Sequence, residues 1–472
     1  MTTNRLTDLT AVAAVAAMRN GDVKAEDYAQ ALLDRARALE SLNAFRTLNR
    51  ELVLEAAHAA DRKRASGATL GALYGLPIPV KDSVNTKTLL TSNGTRALRD
   101  FQPKDDAAIL KPLFAQGAIL MGKTNLHELS FGWTSNNLAF GPVKNPYDIN
   151  RIPGGSSGGS GAAVAARIAP VAVAEDTHGS IRVPAAMCGL AGLRPTFGRY
   201  SGDGILPITL NKFDQPGPLA RSVADLGLFD SAATGDFTPI TPTILEGVRI
   251  GVAPGFFLAN ADAEVQRIFM DALHRIEAAG ATLVWAEIPE PMQRGLSIAL
   301  AIQFYEIVPS MSSFLKDQGA GVTFDEVLEQ ISPNIDPIFK MAILPPNAVT
   351  QQAYQTALVH REQLKAAVRE YFRTHGIDAL AFPPVISPPP PLGDNGEVDI
   401  GGGKIPIIIV MGRNTALGSC ASMSCLVLPA GLTSTHLPVG IEFDAMPGAD
   451  RKLLSLGLSL ERALGPIPAP GI

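Results

Sequence analysis

The sequence predicts an α/β fold: one large domain in which a β-sheet is packed between helices. Three observations carry that reading. Short apolar runs of strand composition, Leu76–Val80, Ala118–Met121 and Val171–Ala174, alternate with stretches of helical periodicity. Apolar residues make up 46% of the chain and charged residues 18%, enough for a large core. No internal repeat divides the 472 residues, a length at which α/β enzymes fold as one unit.

Each element has its own justification. Thr10 caps a helix that ends near Gly21, and its apolar stretch Ala11–Met18 is no secretory leader, because Asp8 offsets Arg5. Lys24–Leu42 is helical, with Tyr28, Leu32, Leu33, Ala36 and Leu39 on one face. Phe45–Leu48 reads as a strand and Glu51–Arg64 as a helix. The apolar run before Lys81 is a strand that delivers the lysine to its end. Asp106–Gln116 (helix), Ala118–Met121 (strand), Ala162–Arg167 (helix), Val171–Ala174 (strand) and a helix from about Ile181 follow. Phe213–Pro218 reads as a turn, and Ser222 caps a helix through Phe229. Val248–Val252 is a strand and Asp262–Ala279 a helix. From Met292 to Ala348 the pattern is irregular, with helical patches at Ala299–Tyr305 and Phe324–Gln330. A helix over Ala353–His375, a strand at Ala379–Phe382, an extended Ser387–Pro391 connector and a flexible Gly401–Gly403 loop come next. Arg413–Pro429 leads into the last strand, and a helix near Leu453–Leu464 closes the chain.

Composition excludes several classes. The net charge is −5 with no block of like charge, which argues against a nucleic-acid partner. Cys188, Cys420 and Cys425 offer neither a disulfide framework nor metal-ligand spacing, so they read as buried residues of a reducing compartment. No apolar run approaches membrane-spanning length; Ile405–Met411 stops far short. The expectation is a cytoplasmic protein with no membrane partner.

Chemistry concentrates between Pro153 and Pro195. A glycine-serine cluster, Gly154–Gly161, precedes a run of small helix formers, and Asp176-Thr177-His178-Gly179-Ser180 forms a second glycine turn after the strand. A glycine-serine loop alone is more often a turn than a site. The second turn opens a helix, however, where free backbone N–H groups can face a developing negative charge. Ser180 among such donors reads as a nucleophile beside an oxyanion hole. A serine nucleophile needs a base, and a buried, neutral Lys81 can serve. Gly117–Thr124 matches the Walker A letters, but its Ala-Ile-Leu-Met is itself a strand, so no phosphate loop is expected. His127 and Glu128 are adjacent, lacking the helical spacing of a zinc site.

Together these segments resemble the amidase signature family of Ser–cis-Ser–Lys hydrolases. The matching stretches are Gly75–Thr86, Gly122–Gly132, Pro153–Ala166, Asp176–Thr196 and Leu428–Phe443, so the likeness spans nearly the whole chain. The resemblance implies a mixed sheet between helices and a catalytic set of Lys81, Ser156 and Ser180. Ser156 would relay the proton of Ser180 to Lys81 across a cis Gly155–Ser156 peptide. The N–H groups of Thr177, His178, Gly179 and Ser180 would form the oxyanion hole. Asp176 and Arg182 match positions that support the turn as an ion pair, and Ser157 would hydrogen-bond within the site. His178 stands where the family has glycine; a substrate contact and a packed residue are both open readings.

The likeness is greatest to the indoleacetamide and mandelamide hydrolase branch, around Phe131–Pro146 and Arg413–Gly431. It implies a cofactor-free and metal-free amidohydrolase acting through a Ser180 acyl-enzyme on a small aryl or aralkyl amide. Carbamate (urethane), anilide or ester hydrolysis on the same residues is the alternative. A glutaminase subunit of a tRNA amidotransferase is another, and a binding protein on an inactive scaffold is disfavoured because all three residues are present. A homodimer is compatible with each. The region about 290–350 would vary with substrate: Phe304, Tyr305, Met311, Phe314 and Ile343 either line the acyl pocket or, for most of them, belong to the core.

Overall fold

The computed structural model describes residues 6–393 and 396–472. Its strands are β1 (Phe45–Leu48), β2 (Pro77–Lys81), β3 (Ile119–Thr124), β4 (Val171–Asp176), β5 (Ala191–Arg194), β6 (Gln215–Ala220), β7 (Arg249–Val252), β8 (Thr282–Trp285), β9 (Ala379–Phe382), β10 (Glu397–Ile400), β11 (Gly403–Pro406), β12 (Ser424–Leu432) and β13 (Pro438–Ala445). Eleven of them form one sheet in the order β1-β3-β2-β4-β6-β5-β12-β13-β9-β7-β8. β2 runs parallel to β3 and β4, and β7 parallel to β8 and β9; the other pairs in this sheet are antiparallel. The fold is therefore a single α/β domain around a large mixed sheet flanked by helices. Its central strands β2, β4, β5 and β6 are buried along their whole length, as a sheet covered on both faces requires.

Local chemistry set most boundaries as expected. The Thr10 hydroxyl accepts from the Ala13 N–H, and Gly21 ends that helix at a φ of 85°. Ser222 caps its helix through the Asp225 N–H. Other expectations need correcting. Phe213–Pro218 does not end in a turn: β6 pairs with β4 from Val171↔Ala220 to Asp176↔Gln215. Alternation along β6 turns the nitrogens of Pro216 and Pro218 away from β4, toward β5, which pairs only with Leu219 and Ala220. The helix placed at Asp106–Gln116 spans Leu110–Ala115, because the Asp106 carboxylate is engaged with the Lys87 N–H. Gly401 and Gly402, both at positive φ, turn the β10–β11 hairpin instead of forming an open loop.

The largest difference lies between Met292 and Ala348. One helix, Gly295–Gln318, runs through Pro309 for 24 residues and packs on helix Gln351–His375. By length and composition it could cross a membrane, contrary to the expectation that no segment reaches that length. More than half of its most apolar window is buried, however. Its Glu306, fully buried, accepts from the Tyr354 hydroxyl (2.5 Å) and the Leu210 N–H (2.7 Å) and pairs with Lys212 (3.0 Å). These features describe a core helix.

Candidate active site

The parallel strands β2, β3 and β4 end side by side at Lys81, Thr124 and Asp176, and the site is built at these carboxyl ends. Lys81 is fully buried, and its Nζ donates to Ser156 Oγ at 2.7 Å. Ser156 follows a cis Gly155–Ser156 peptide, as the resemblance implies. The Ser156 carbonyl accepts from the His127 N–H (3.0 Å) and the Ser135 hydroxyl (3.3 Å).

The glycines of this loop are needed for close approach. A Cβ on Gly159 would lie 2.2 Å from the Asn125 carbonyl oxygen, and one on Gly155 2.8 Å from the Trp133 backbone. Helix Gly158–Ala165 can start here only because its first residues carry no side chain.

Ser180 sits on the facing turn and lines a cavity of about 700 Å³. The two turns are tied together. Ser157 donates its hydroxyl to the Glu175 carbonyl (3.1 Å) and its N–H to the Ser180 carbonyl (3.3 Å). Ser180 Oγ has no hydrogen-bond partner among the described residues; such contacts commonly tighten only when substrate is bound.

Asp176 and Arg182 form the expected ion pair, in a bidentate arrangement at 3.0 and 3.1 Å, with Arg194 at 3.3 Å. Arg182 continues to Glu442 (2.9 Å), Thr415 O (2.7 Å) and Ser419 Oγ (2.8 Å), fixing the turn to β13 and to the segment before β12. Burial works to raise the Asp176 pKa, but the two guanidiniums and the backbone donors hold it well below the carboxylate range.

This carboxylate also corrects one expected oxyanion donor. The Gly179 N–H is committed to Asp176 Oδ1 at 2.7 Å, so it is not free to face substrate. The N–H groups of Thr177, His178 and Ser180 carry no hydrogen bond among the described residues.

His178 is 3% exposed, hence packed, and it lies at the cavity wall. Its Nε2 donates to the Gly412 carbonyl (2.8 Å), which leaves Nδ1 to accept from the Gln303 amide (3.3 Å). Trp133 meets the imidazole edge-on and donates Nε1–H to the His178 carbonyl (2.7 Å). Burial pushes the His178 pKa down to about 4, so the ring is neutral at physiological pH.

Sequence reasoning missed Glu175, the residue before Asp176. Its Oε2 accepts from Lys81 Nζ at 2.5 Å, from Ser83 Oγ at 3.0 Å and from Ser130 Oγ at 3.4 Å. A carboxylate ending a buried strand is the only cue the sequence offers, and it does not name its partner. Burial pushes the Lys81 pKa below its ordinary value, against the upward pull of Glu175, Asp176 and Asp214.

The Walker-like run is strand β3, as its apolar centre implies. Lys123 is buried, and it donates to the Val84 carbonyl and the Thr91 hydroxyl, so it pins a loop and faces no phosphate site. Cys425 lies with Glu442 and Asp444 in a buried group whose ligand atoms are within 4.8 Å of one another. Burial raises the pKa of each of the three, and Arg182 occupies the adjoining space, a setting that does not fit a cation.

The cavity wall is apolar, with Phe131, Trp133, Leu138, Phe304, Ile335 and Ile407 among its residues. Of the five aromatic and aliphatic candidates named above, Phe304 alone lines it. Met311, Phe314 and Ile343 belong to the core, and Tyr305 stacks on Tyr354 at 4.1 Å.

The site thus joins a serine turn to a buried, lysine-bonded serine at an apolar cavity, on a mixed sheet flanked by helices, the fold of a hydrolase family. The chain belongs to the Amidase family, whose model matches residues 27–454. It is similar to the indoleacetamide hydrolase of Agrobacterium vitis, 35% identical over 95% of both chains. It is also similar to the mandelamide hydrolase of Pseudomonas putida, 35% identical over 98% of this chain and 93% of that one. Among solved structures, an amidase superposes with a TM-score of 0.87 at 30% identity, over 97% of this chain and 100% of that one. The protein is an amidase, a hydrolase of non-peptide C–N bonds.

Proposed function

We propose that the protein hydrolyses small aryl or aralkyl carboxamides through an acyl-enzyme on Ser180. The observation that carries this reading is the Lys81–Ser156 hydrogen bond, 2.7 Å long, beneath a cavity lined by Ser180 and by aromatic rings. As Ser180 attacks, its proton passes to Ser156 while the proton of Ser156 passes to Lys81. The carbonyl oxygen takes the negative charge among the N–H groups of Thr177, His178 and Ser180. Each such donor is typically worth about 3 kcal/mol of barrier. When the C–N bond breaks, the proton returns from Lys81 through Ser156 to the departing nitrogen. Water then releases the acid by the same route.

The substrate class follows from the walls. A cavity of about 700 Å³ whose rings include Phe131, Trp133 and Phe304 favours a flat apolar acyl group by burial and by edge-to-face contact. The identities with an indoleacetamide and a mandelamide hydrolase support the same class. The region about 290–350 contributes Leu300, Gln303, Phe304, Asn334 and Ile335 to this wall, in keeping with a substrate-dependent segment.

The test is a panel of matched acyl groups presented as amide, anilide, ester and carbamate to purified protein. Arylacetamides and their substituted relatives should show the highest kcat/KM among the amides. Preference for short aliphatic amides, or for glutamine, would overturn the substrate assignment. A carbamate turned over faster than its matched amide would make urethane hydrolysis the main activity.

A further inference from the structure

We propose that Glu175 is a positioning residue for the proton transfer, the anion that receives the ammonium Lys81 becomes when Ser180 attacks. The inference rests on the Ser180–Ser156–Lys81 relay proposed above and adds a fourth member to it.

The geometry supports it directly. Lys81 Nζ donates both to Glu175 Oε2 at 2.5 Å and to Ser156 Oγ at 2.7 Å, so one amine links the carboxylate to the relay serine. Both side chains are at most 1% exposed, so the pair is shielded from bulk solvent. Ser83 and Ser130 donate to the same oxygen, at 3.0 and 3.4 Å, and hold it toward the lysine. Oε1, also buried, has no hydrogen-bond partner among the described residues. An orphaned carboxylate oxygen is costly to keep in a core, which argues for a role other than packing.

Other charged groups facing Lys81 are placed differently. Asp176 is saturated by Arg182 and Arg194, and Asp214 by the hydroxyls of Thr177 and Thr209. Asp82, next in the chain, is 3.6 Å from Lys123 and bonds Ser92. Burial and the lysine together hold His127 neutral, with its pKa pushed down to about 4. Glu175 is the carboxylate in hydrogen-bond contact with the Lys81 amine.

The step balances as follows. At working pH the pair has lost one proton to solvent, leaving a neutral amine beside a carboxylate. The Ser180 oxygen–carbon bond forms, the carbonyl π pair moves to oxygen, and one proton arrives at Lys81 through Ser156. The resulting ammonium lies against Glu175. Collapse breaks the C–N bond and returns that proton to the leaving nitrogen. Glu175 thus strengthens the base, and it also requires a higher pH before the amine is free.

The sign of the test follows. An opposite charge at this distance raises an amine pKa by about 1–3 units. In Glu175→Gln the acid limb of the kcat/KM profile for an aryl amide should move down by about 1–3 pH units. The plateau should fall by about tenfold, because a weaker base transfers the proton less well. The matched ester, whose leaving group needs less protonation, should lose less. Glu175→Thr, a smaller neutral residue of good strand propensity, should give the same shift. Fluorophosphonate labelling located by peptide mass spectrometry accompanies each profile. Label on Ser180 with an unmoved acid limb overturns this inference alone. Label on another serine in the wild type overturns the relay and this inference with it. Failure of both neutral variants to fold would assign Glu175 to the fold and likewise overturn the proposal.

Discussion

Asp176→Asn removes the negative charge and one acceptor oxygen from the most connected carboxylate of the site. Asp176 accepts from the N–H groups of Gly179 and Ile181 and from two positions on the Arg182 guanidinium, with Arg194 alongside. All three side chains are fully buried. An asparagine keeps one acceptor and turns an NH2 toward donors, leaving Arg182 with Glu442 as its carboxyl partner and Arg194 with backbone carbonyls. Breaking a buried pair in this way typically costs about 3–5 kcal/mol. At about 2.1 cal/mol/K per residue, 472 residues have an unfolding entropy of about 1 kcal/mol/K, so Tm should fall by about 3–5 °C.

The assay is calorimetry of both proteins at one scan rate and several pH values. The folded Asp176 pKa is depressed, so its contribution is complete above the unfolded value of about 3.9 and is lost only as pH falls toward the folded one. The Tm difference should therefore be constant between about pH 5 and 8. A difference under 1 °C, or one that grows or shrinks steadily across that range, would refute the assigned electrostatics.

Other outcomes follow from the same geometry. Lys81→Ala should lower amide turnover by about 10²–10⁴-fold and ester turnover less, measured on matched substrates; equal losses would argue against leaving-group protonation. Because His178 is held neutral by burial, with a pKa of about 4, wild type and His178→Gly should show parallel kcat/KM profiles from pH 5.5 to 8, with KM raised in the variant by loss of the Gln303 contact. A step near pH 6.5 that disappears in the variant would contradict that burial. Gly159→Ala should lose stability at or above the upper end of the about 1–3 kcal/mol range for overpacking, since its Cβ meets two backbone carbonyls at 2.2 and 2.5 Å. Wild-type denaturation midpoints for this variant would show that the loop yields.

Much of this architecture is written locally. Val171–Ala174, Leu76–Val80 and Ala379–Phe382 are apolar runs of strand length, and Thr10, Ser222 and Gly21 mark helix ends by their own side chains or lack of one. Lys81 and Ser180 stand out in the sequence because a strand end and a glycine turn set them apart, whereas Ser156 is singled out by the family resemblance. What escaped depends on pairing between distant segments. β6 is masked by Pro216 and Pro218, which are tolerated because their nitrogens face away from β4 and the pairing with β5 is confined to Leu219 and Ala220. Helix Gly295–Gln318 is masked by Pro309 and by an apolar surface that wraps around it, as a buried helix demands. Glu175 meets Lys81 only because β2 and β4 lie parallel through Val80↔Val173, 93 positions apart by residue number. The Gly179 N–H was lost to Asp176 for a similar reason: a side chain three residues back folds onto the turn.

The acyl-enzyme itself gives the most direct measurement. An aryl ester with a good leaving group is mixed with the enzyme, quenched in acid during turnover and digested, and the peptides are weighed. The account predicts one acyl group, on the peptide carrying Ser180, absent from Ser180→Ala. An acyl group on another residue, or steady turnover by Ser180→Ala with no adduct, would contradict it.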